Sequence, residues 1–392
     1  TILPDPTSCT ELLRAMVGFD TVNANISGVA DAEMSLAVYL QELAQDSSLT
    51  VQRLPVTGEG FNLLVSHRVD EQAPWLLFES HLDTVTVEGM TVDPFAGEIR
   101  DGRLYGRGAC DTKGTGAAML WALREYAGAT TEKANNVALV FTIDEEIYKT
   151  GVRTFVQQHL PMLPWRPSGV IVGEPTELKA VVAHNGVVRW SIAASGRAAH
   201  SSDPSKGRSA ISAMTKVVQA LEERYIPGLV AAHPLTGMAQ CSINLIQGGV
   251  QINIVPEYCE VQIDRRLVPG EDANDVLPAV EEVLAALRRA DPDLQVVQHT
   301  PAMIDSPLDP SGGEAFAGFV QRVLLEMGLE GELQGVGYGT DASSFGQAGF
   351  AAVVLGPGDI AQAHTADEWI DLAELQRGVE VYGTLMRTAV EG

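Results

Sequence analysis

The chain has 392 residues, 45% of them hydrophobic and 20% charged, and a formal net charge of −25 at pH 7. A chain of that length buries a large core and usually divides into two or more domains. So acidic a surface repels phosphate, which argues against nucleic acid and anionic membranes as partners. No run approaches the roughly 18 apolar residues of a membrane span. The opening TILPDPTSCTELL lacks the basic stretch followed by an apolar one that marks a secretory signal. Cys9, Cys110, Cys241 and Cys259 form no CxxC pair, which fits a reducing cytoplasm and tells against a cysteine zinc site.

In chain order, residues 33–44 read as an amphipathic helix, 50–53 and 62–67 as strands, and 75–78 (WLLF) as a buried strand. After a Gly-rich turn, 115–126 is an Ala-rich helix. NVALVFTI, 136–143, is a continuous apolar strand, the pattern of a sheet covered on both faces. Residues 152–159 read as a helix and SGVIVGEP, 168–175, as another buried strand. This alternation predicts an α/β domain, with a central mixed, mostly parallel sheet flanked by helices. Near His184 the pattern changes. Residues 187–195 alternate like a half-exposed strand, 208–225 form a long amphipathic helix, and 242–246 and 257–265 are alternating strands around a Gly-Gly turn. A helix over 272–290 and a strand over 294–298 complete a β-α-β-β-α-β order, a recurring ferredoxin-like unit. Beyond it, 313–327 is helical and 351–355 a buried strand. The first domain, 1–184, is therefore completed by 300–392 around an insertion at 185–299.

Several polar clusters stand where apolar strands end. HLDTV carries His81 and Asp83, GRGACDTKG carries Asp111 in a Gly-rich turn before a helix, and FTIDEE carries Asp144, Glu145 and Glu146. VIVGEPTE carries Glu174, and GPGDIAQAHTADEW carries His364. Taken singly, each reads more readily as a surface carboxylate or a loop histidine. In open α/β sheets, however, ligands sit beyond the carboxyl ends of the strands. Carboxylates gathered there without a cation would repel one another. Two imidazoles and three carboxylates make a nitrogen and oxygen site for zinc or a similar divalent ion. Asp83, two residues past His81, is placed to orient its ring. Of the neighbours Glu145 and Glu146, one would ligate and the other activate water. His200, in a loop of small polar residues, is a candidate electrophile for an oxyanion. Arg265 and Arg266 should face opposite sides of a strand, so one of them suits a clamp on a substrate carboxylate. His67, His159, His233 and His299 read as surface or structural residues, and His184, at the domain junction, as a hinge or packing one. Neither GxSxG nor GxxxxGK[ST] occurs.

These motifs, in this order over nearly the whole chain, resemble the M20 metallopeptidases and deacylases. Within that family, GEPTELKAVVAHNG, HSSDPSKG and GPGDIAQAH are similar to acetylornithine deacetylases and their relatives acting on other N-acyl amino acids. GTDAS, 339–343, departs toward the glutamate-type carboxypeptidases. The resemblance implies two zinc ions, with cobalt or manganese as substitutes. His81 and Glu174 would each bind one of the two ions, Asp111 would bridge both, and Glu146 and His364 would hold the second. It implies Asp83 behind His81, Glu145 as general base, and a cis Asp111–Thr112 peptide. It further implies a homodimer through the inserted lid domain, with His200 crossing to the other subunit to stabilise the oxyanion. Arg266 would bind the substrate carboxylate, with Asn253, Asn244 and Thr340 lining the pocket. The implied activity is removal of an acyl group, acetyl first, from an N-acyl amino acid such as N-acetylornithine, in arginine biosynthesis. Alternatives within the family are N-acetylcitrulline deacetylase, succinyl-diaminopimelate desuccinylase, and glutamate carboxypeptidase or dipeptidase. A metal- or peptide-binding module on the same fold would need no base, and Glu145 beside Glu146 speaks against it.

Overall fold

The computed structural model describes residues 5–45, 48–129 and 134–390, so the first four residues of the N-terminal segment read above lie outside it. The chain forms two compact units. One runs to Val182 and resumes over Pro310–Gln334 and from Thr340 onward; the other is Ala183–Asp309 with Gly335–Gly339. In chain order the first contributes α1 (Cys9–Val17), α2 (Met34–Gln45), β1 (Thr50–Thr57), β2 (Gly60–His67), β3 (Trp75–His81), α3 (Lys113–Gly128), β4 (Asn136–Thr142) and β5 (Pro167–Val172). The second contributes β6 (Gly186–Ser195), α4 (Ala210–Ala220), β7 (Gln240–Gly248), β8 (Tyr258–Leu267), α5 (Val276–Ala290) and β9 (Gln295–Gln298). The chain then returns to the first unit with α6 (Glu314–Glu326), α7 (Ala342–Gln347), β10 (Ala352–Val354) and α8 (Leu372–Arg387).

Among the described residues the first unit is built on an eight-stranded mixed sheet, in which six strands run in the order β1-β2-β4-β3-β5-β10. β1, β2 and β4 pair antiparallel. From β4 through β3 and β5 to β10 the sheet is parallel. The parallel strands are the apolar ones, and every residue of β4 is buried. Leu76, Phe78, Val137, Leu139 and Phe141 share one core cluster with α1, α3, α6 and α8. Leu77, Ala138 and Val140 alternate to the opposite face and are buried as well. α8 forms because Asp371 caps it, accepting from the Ala373 and Glu374 amides. Its stripe of Leu375, Val379, Tyr382 and Met386 is fully buried, each side chain contributing about 1.5–3 kcal/mol.

β3 is longer than its apolar run suggests. It continues through Glu79 and Ser80 to His81, and all three are buried. Glu79 is held there by a hydrogen bond from Thr142 Oγ1 at 2.6 Å. The helix predicted over 152–159 is α-helical only to Thr154 and closes as a π turn, Phe155–His159. The one predicted over 208–225 starts at Ala210, capped by Ser209, and ends likewise in a π turn, Leu221–Tyr225.

In the second unit β7, β8, β6 and β9 lie side by side in that order, every pair antiparallel. Alternate residues of β6 and β8 pack against α4 and α5: Val188, Trp190, Ile192, Val261 and Ile263 meet Met214, Val217, Val280 and Leu284. The opposite face of the sheet carries the polar set. β7 is an edge strand, with Leu245 and Ile246 exposed. No helix among the described residues is long and apolar enough to cross a membrane.

Candidate metal centre

The parallel register lines up the ends of β3, β4 and β5. His81 pairs with Thr142 and Glu79 with Val172, so His81, the Asp144–Glu146 segment and Glu174 leave the sheet at one level. The turn before α3 brings Asp111 to the same place. Gly108 has φ +79° there, and a Cβ would meet Thr84 and Lys113, so glycine is required. The Asp111–Thr112 peptide is cis. Thr112 Oγ1 donates to the His81 carbonyl at 3.1 Å, tying the turn to β3. His364 follows β10 and a short 3₁₀ turn, Ile360–Gln362, with a left-handed φ of 62°.

Asp111 stands between the two imidazoles. Its Oδ1 is 3.2 Å from His81 Nε2 and its Oδ2 is 3.2 Å from His364 Nε2. Glu174 Oε1 is 3.9 Å from His81 Nε2, and Glu146 Oε2 is 3.3 Å from His364 Nε2. Two groups of donors result, each with its ligand atoms within 4.8 Å of one another: His81, Glu145 and Glu174, and Asp111, Glu146 and His364. Asp83 is fully buried. Its carboxylate lies 3.5 Å from His81 Nδ1, while the Asp83 carbonyl is 3.0 Å from the same nitrogen. Asp83 also accepts from the Glu145 amide at 2.9 Å and the Glu146 amide at 3.1 Å. One carboxylate thus braces the imidazole and fixes both glutamates.

The electrostatics call for cations. Burial, followed by the Asp111 charge, pushes Glu146 up to about 8 and Glu174 well above the usual carboxylate range. Burial raises Glu145 as well, opposed by Lys149. Hydrogen bonds to Asp111 and Glu146 raise His364 to about 10. Burial would depress His81, but its contacts with Asp111 and Asp83 outweigh that and hold it well above its ordinary value. A cluster that must take up protons to stay buried is one in which divalent ions would replace them. The donor chemistry fits: each group offers one imidazole and two carboxylates. Glu146 Oε1, buried and with no hydrogen-bond partner, is left for such an ion.

Residues 77–388 match the sequence profile of Peptidase family M20/M25/M40. The chain belongs to this family. It is 32% identical over 390 residues to the acetylornithine deacetylase of Proteus mirabilis (strain HI4320), covering 96% of this chain and 95% of that protein. The fold is that of the M20 family metallo-carboxypeptidase Sso-CP2 from Sulfolobus solfataricus, with a TM-score of 0.78, 18% identity and 97% and 99% of the two chains covered. It is also that of YXEP from Bacillus subtilis, described as a dinuclear metal-binding peptidase of the M20 family, with a TM-score of 0.68, 16% identity and 96% and 97% covered.

Several supports of this M20 centre escaped the reading of the sequence. Glu368, four residues past His364, is buried and accepts from the Cys110 and Asp111 amides at 2.9 and 3.0 Å, from the Gly108 amide at 3.1 Å, and from Arg107 Nη1 at 2.7 Å. It is carried there by a three-stranded sheet of Glu98–Arg100, Arg103–Tyr105 and Trp369–Asp371. Asn23 donates to Asp83 at 2.8 Å and to Asp144 at 2.9 Å. Glu368 lay inside a motif quoted for His364, whereas no local pattern marks Asn23. Thr340 is fully buried, and its hydroxyl accepts from the Ala342 amide. In the second unit, His200 is exposed and its Nδ1 is 2.8 Å from Ser202 Oγ. Asn253 lies beside it, its carbonyl accepting from the Ser201 amide at 2.9 Å. Asn244 sits at a bulge in β7. Arg265 is buried on the helix side and pairs with Glu271. Arg266 is on the opposite face, its Nε 2.7 Å from Asp264.

Proposed function

We propose that this M20 protein is a dinuclear, zinc-dependent amidohydrolase that removes the acyl group, acetyl first, from an N-acyl amino acid such as N-acetylornithine. The observation that carries this reading is Asp111 reaching both imidazoles at 3.2 Å with Glu145 alongside. The 32% identity to an acetylornithine deacetylase supports the substrate class. His81 and Glu174 would hold one ion, Glu146 and His364 the other, and Asp111 both. Bound divalent ions supply Lewis acidity, which lowers the pKa of water and polarises the amide carbonyl. Glu145 takes the proton from the attacking water and delivers it to the departing amine. Asp83 keeps Glu145 and His81 in line through the contacts described above. Arg266 would bind the substrate's α-carboxylate and so orient the amide, and Asn253, Asn244 and Thr340 would be further substrate-binding residues. In a homodimer formed through the second unit, His200 from the other copy donates to the oxyanion.

The deciding experiment is an assay of metal-reconstituted protein on N-acetylornithine, N-acetylcitrulline, N-succinyl-diaminopimelate and dipeptides, with zinc, cobalt and manganese compared. A clear preference for N-acetyl amino acids, abolished by chelator, is expected. Hydrolysis of dipeptides alone would move the assignment to the peptidases of the family, and activity without metal would sink the mechanism.

A further inference from the structure

The two halves of the centre are held in different ways. His81 lies on β3 and Glu174 follows β5, so the sheet carries both. The Gly173 amide, next to Glu174, donates to the Glu79 carbonyl of β3 at 2.8 Å. His364 is carried by a loop, and its side chain is half exposed. Yet its Nε2 meets Asp111 and Glu146 within 3.3 Å. Something has to set that loop.

The loop is fastened to the turn that carries Asp111. Arg107 and Glu368 are both buried, and their ion pair joins the two segments at 2.7 Å. Arg107 reaches two further acceptors. Its Nη2 donates to the Thr365 carbonyl, next to His364, at 3.3 Å, and its Nε to the Thr86 carbonyl at 3.0 Å. The Glu368 carbonyl accepts from the Gly106 amide at 3.0 Å, and the Ala366 carbonyl from the Thr91 amide at 2.7 Å. The Glu368 carboxylate grips the turn itself. Its Oε1 accepts from the Cys110 and Asp111 amides, and its Oε2 from Arg107 and the Gly108 amide. An ionised carboxylate is acceptor-only, which suits a place where each oxygen faces two donors. A glutamine there would turn its NH2 toward two donors whichever way it was placed.

We infer that Glu368, with Arg107 as its partner, is a positioning residue for the second ion: it sets His364 against Asp111, so that Asp111, Glu146 and His364 close on one cation. The first ion depends on it less. His81 and Glu174 come from the sheet, and Asp111 has a separate tie to β3 through the Thr112 hydroxyl. Contacts one step behind a metal change its affinity by roughly 10- to 100-fold. The inference rests on the dinuclear reading of the proposed function, and its test separates the two.

Glu368→Gln keeps the volume and puts a donor where an acceptor stood, so a residue that only filled space would tolerate it. Arg107→Lys keeps a cation but cannot span three acceptors as the guanidinium does. It stands in should the glutamine variant fold poorly. Zinc affinities are measured by competition with chelators of graded strength, and bound metal is counted by elemental analysis. The parent should hold two ions. Either variant should weaken one of them by roughly tenfold or more and change the other little. A double-mutant cycle tells which ion is affected. His364→Ala removes a proposed ligand of the second ion, and adding Glu368→Gln to it should leave the affinity of the remaining ion unchanged. Equal weakening of both ions, or of neither, overturns the inference. So does a further loss of roughly tenfold or more in the remaining ion of the double variant. A parent that holds fewer than two ions refutes the dinuclear reading and takes the inference with it.

Discussion

At the scale of single residues, the centre turns on one carboxylate that anchors the two beside it. Asp83 accepts from two successive backbone amides, so Glu145 and Glu146 share one anchored main chain and differ only beyond Cβ. Their substitutions should separate cleanly. Glu145→Gln is expected to keep both metals and lose roughly 10²-fold or more in kcat, the usual worth of a positioned acid or base. Glu146→Ala should release one metal, seen by elemental analysis after dialysis. If the two phenotypes come out exchanged, so are the roles. The residue scale is also where the sequence was least readable. His81, Asp111, Glu146, Glu174 and His364 announce themselves at strand ends and in a Gly-rich turn. Asn23 and Glu368 do not, because their partners are 60 and 257 residues away for the Asp83 and Asp111 contacts, and a side chain's purpose is then set by a fold that no window of sequence contains.

At the scale of elements, hydrophobic pattern found the parallel strands because burial on both faces leaves continuous apolar runs. It stopped short at β3 because Glu79 and Ser80 look like an exit from the core. In fact Glu79 is buried beside Thr142 and Asp341, and burial lifts it to about 7, opposed by the Thr142 hydrogen bond. The three-residue strands around Glu98–Tyr105 and Trp369–Asp371 are too short to show any period. α8 does carry a helical stripe, at 375, 379, 382 and 386, which the reading passed over. The join between α3 and the Asp111 turn offers a sharper test. A Cβ on Gly114 would lie 2.5 Å from the Ala109 carbonyl oxygen and 2.7 Å from Ile370. Gly114→Ala should therefore push the turn off the centre. We expect a stability loss of about 1–3 kcal/mol, as for overpacking, with weakened metal retention, read by denaturant melts and chelator titration. A variant that matches the parent in both would mean the turn has slack.

For the whole molecule, the protonation of the centre has a consequence for stability. Glu146 stands at about 8 against an ordinary 4.5, and His364 at about 10 against 6.5. Both are raised in the folded state. Their contribution is thus complete below the ordinary value and is lost as pH rises through the folded one. Metal-free protein should melt at progressively lower temperature from about pH 5 to about pH 9, and bound zinc should widen its advantage over that range. Calorimetry with and without chelator reads this, and an advantage that narrows with pH would contradict it. The proposed dimer is tested by complementation. His200→Ala and Glu145→Ala homodimers should each be nearly inactive, and mixing them through unfolding and refolding should restore about a quarter of the parent rate. Half the dimers are then mixed, and each has one intact site of two. No recovery in mixtures shown to exchange subunits would place His200 in its own chain or outside the reaction. One feature of the centre also bears on how the protein may be handled. Asn23, whose amide group bonds Asp83 and Asp144, lies more than fifty residues before the family profile begins at 77. A shortened version trimmed to the profile would retain every proposed ligand and the base, yet lose α1, β1, β2 and the donor that steadies Asp83. Such a fragment would show the whole signature on paper and be a poor hydrolase at the bench.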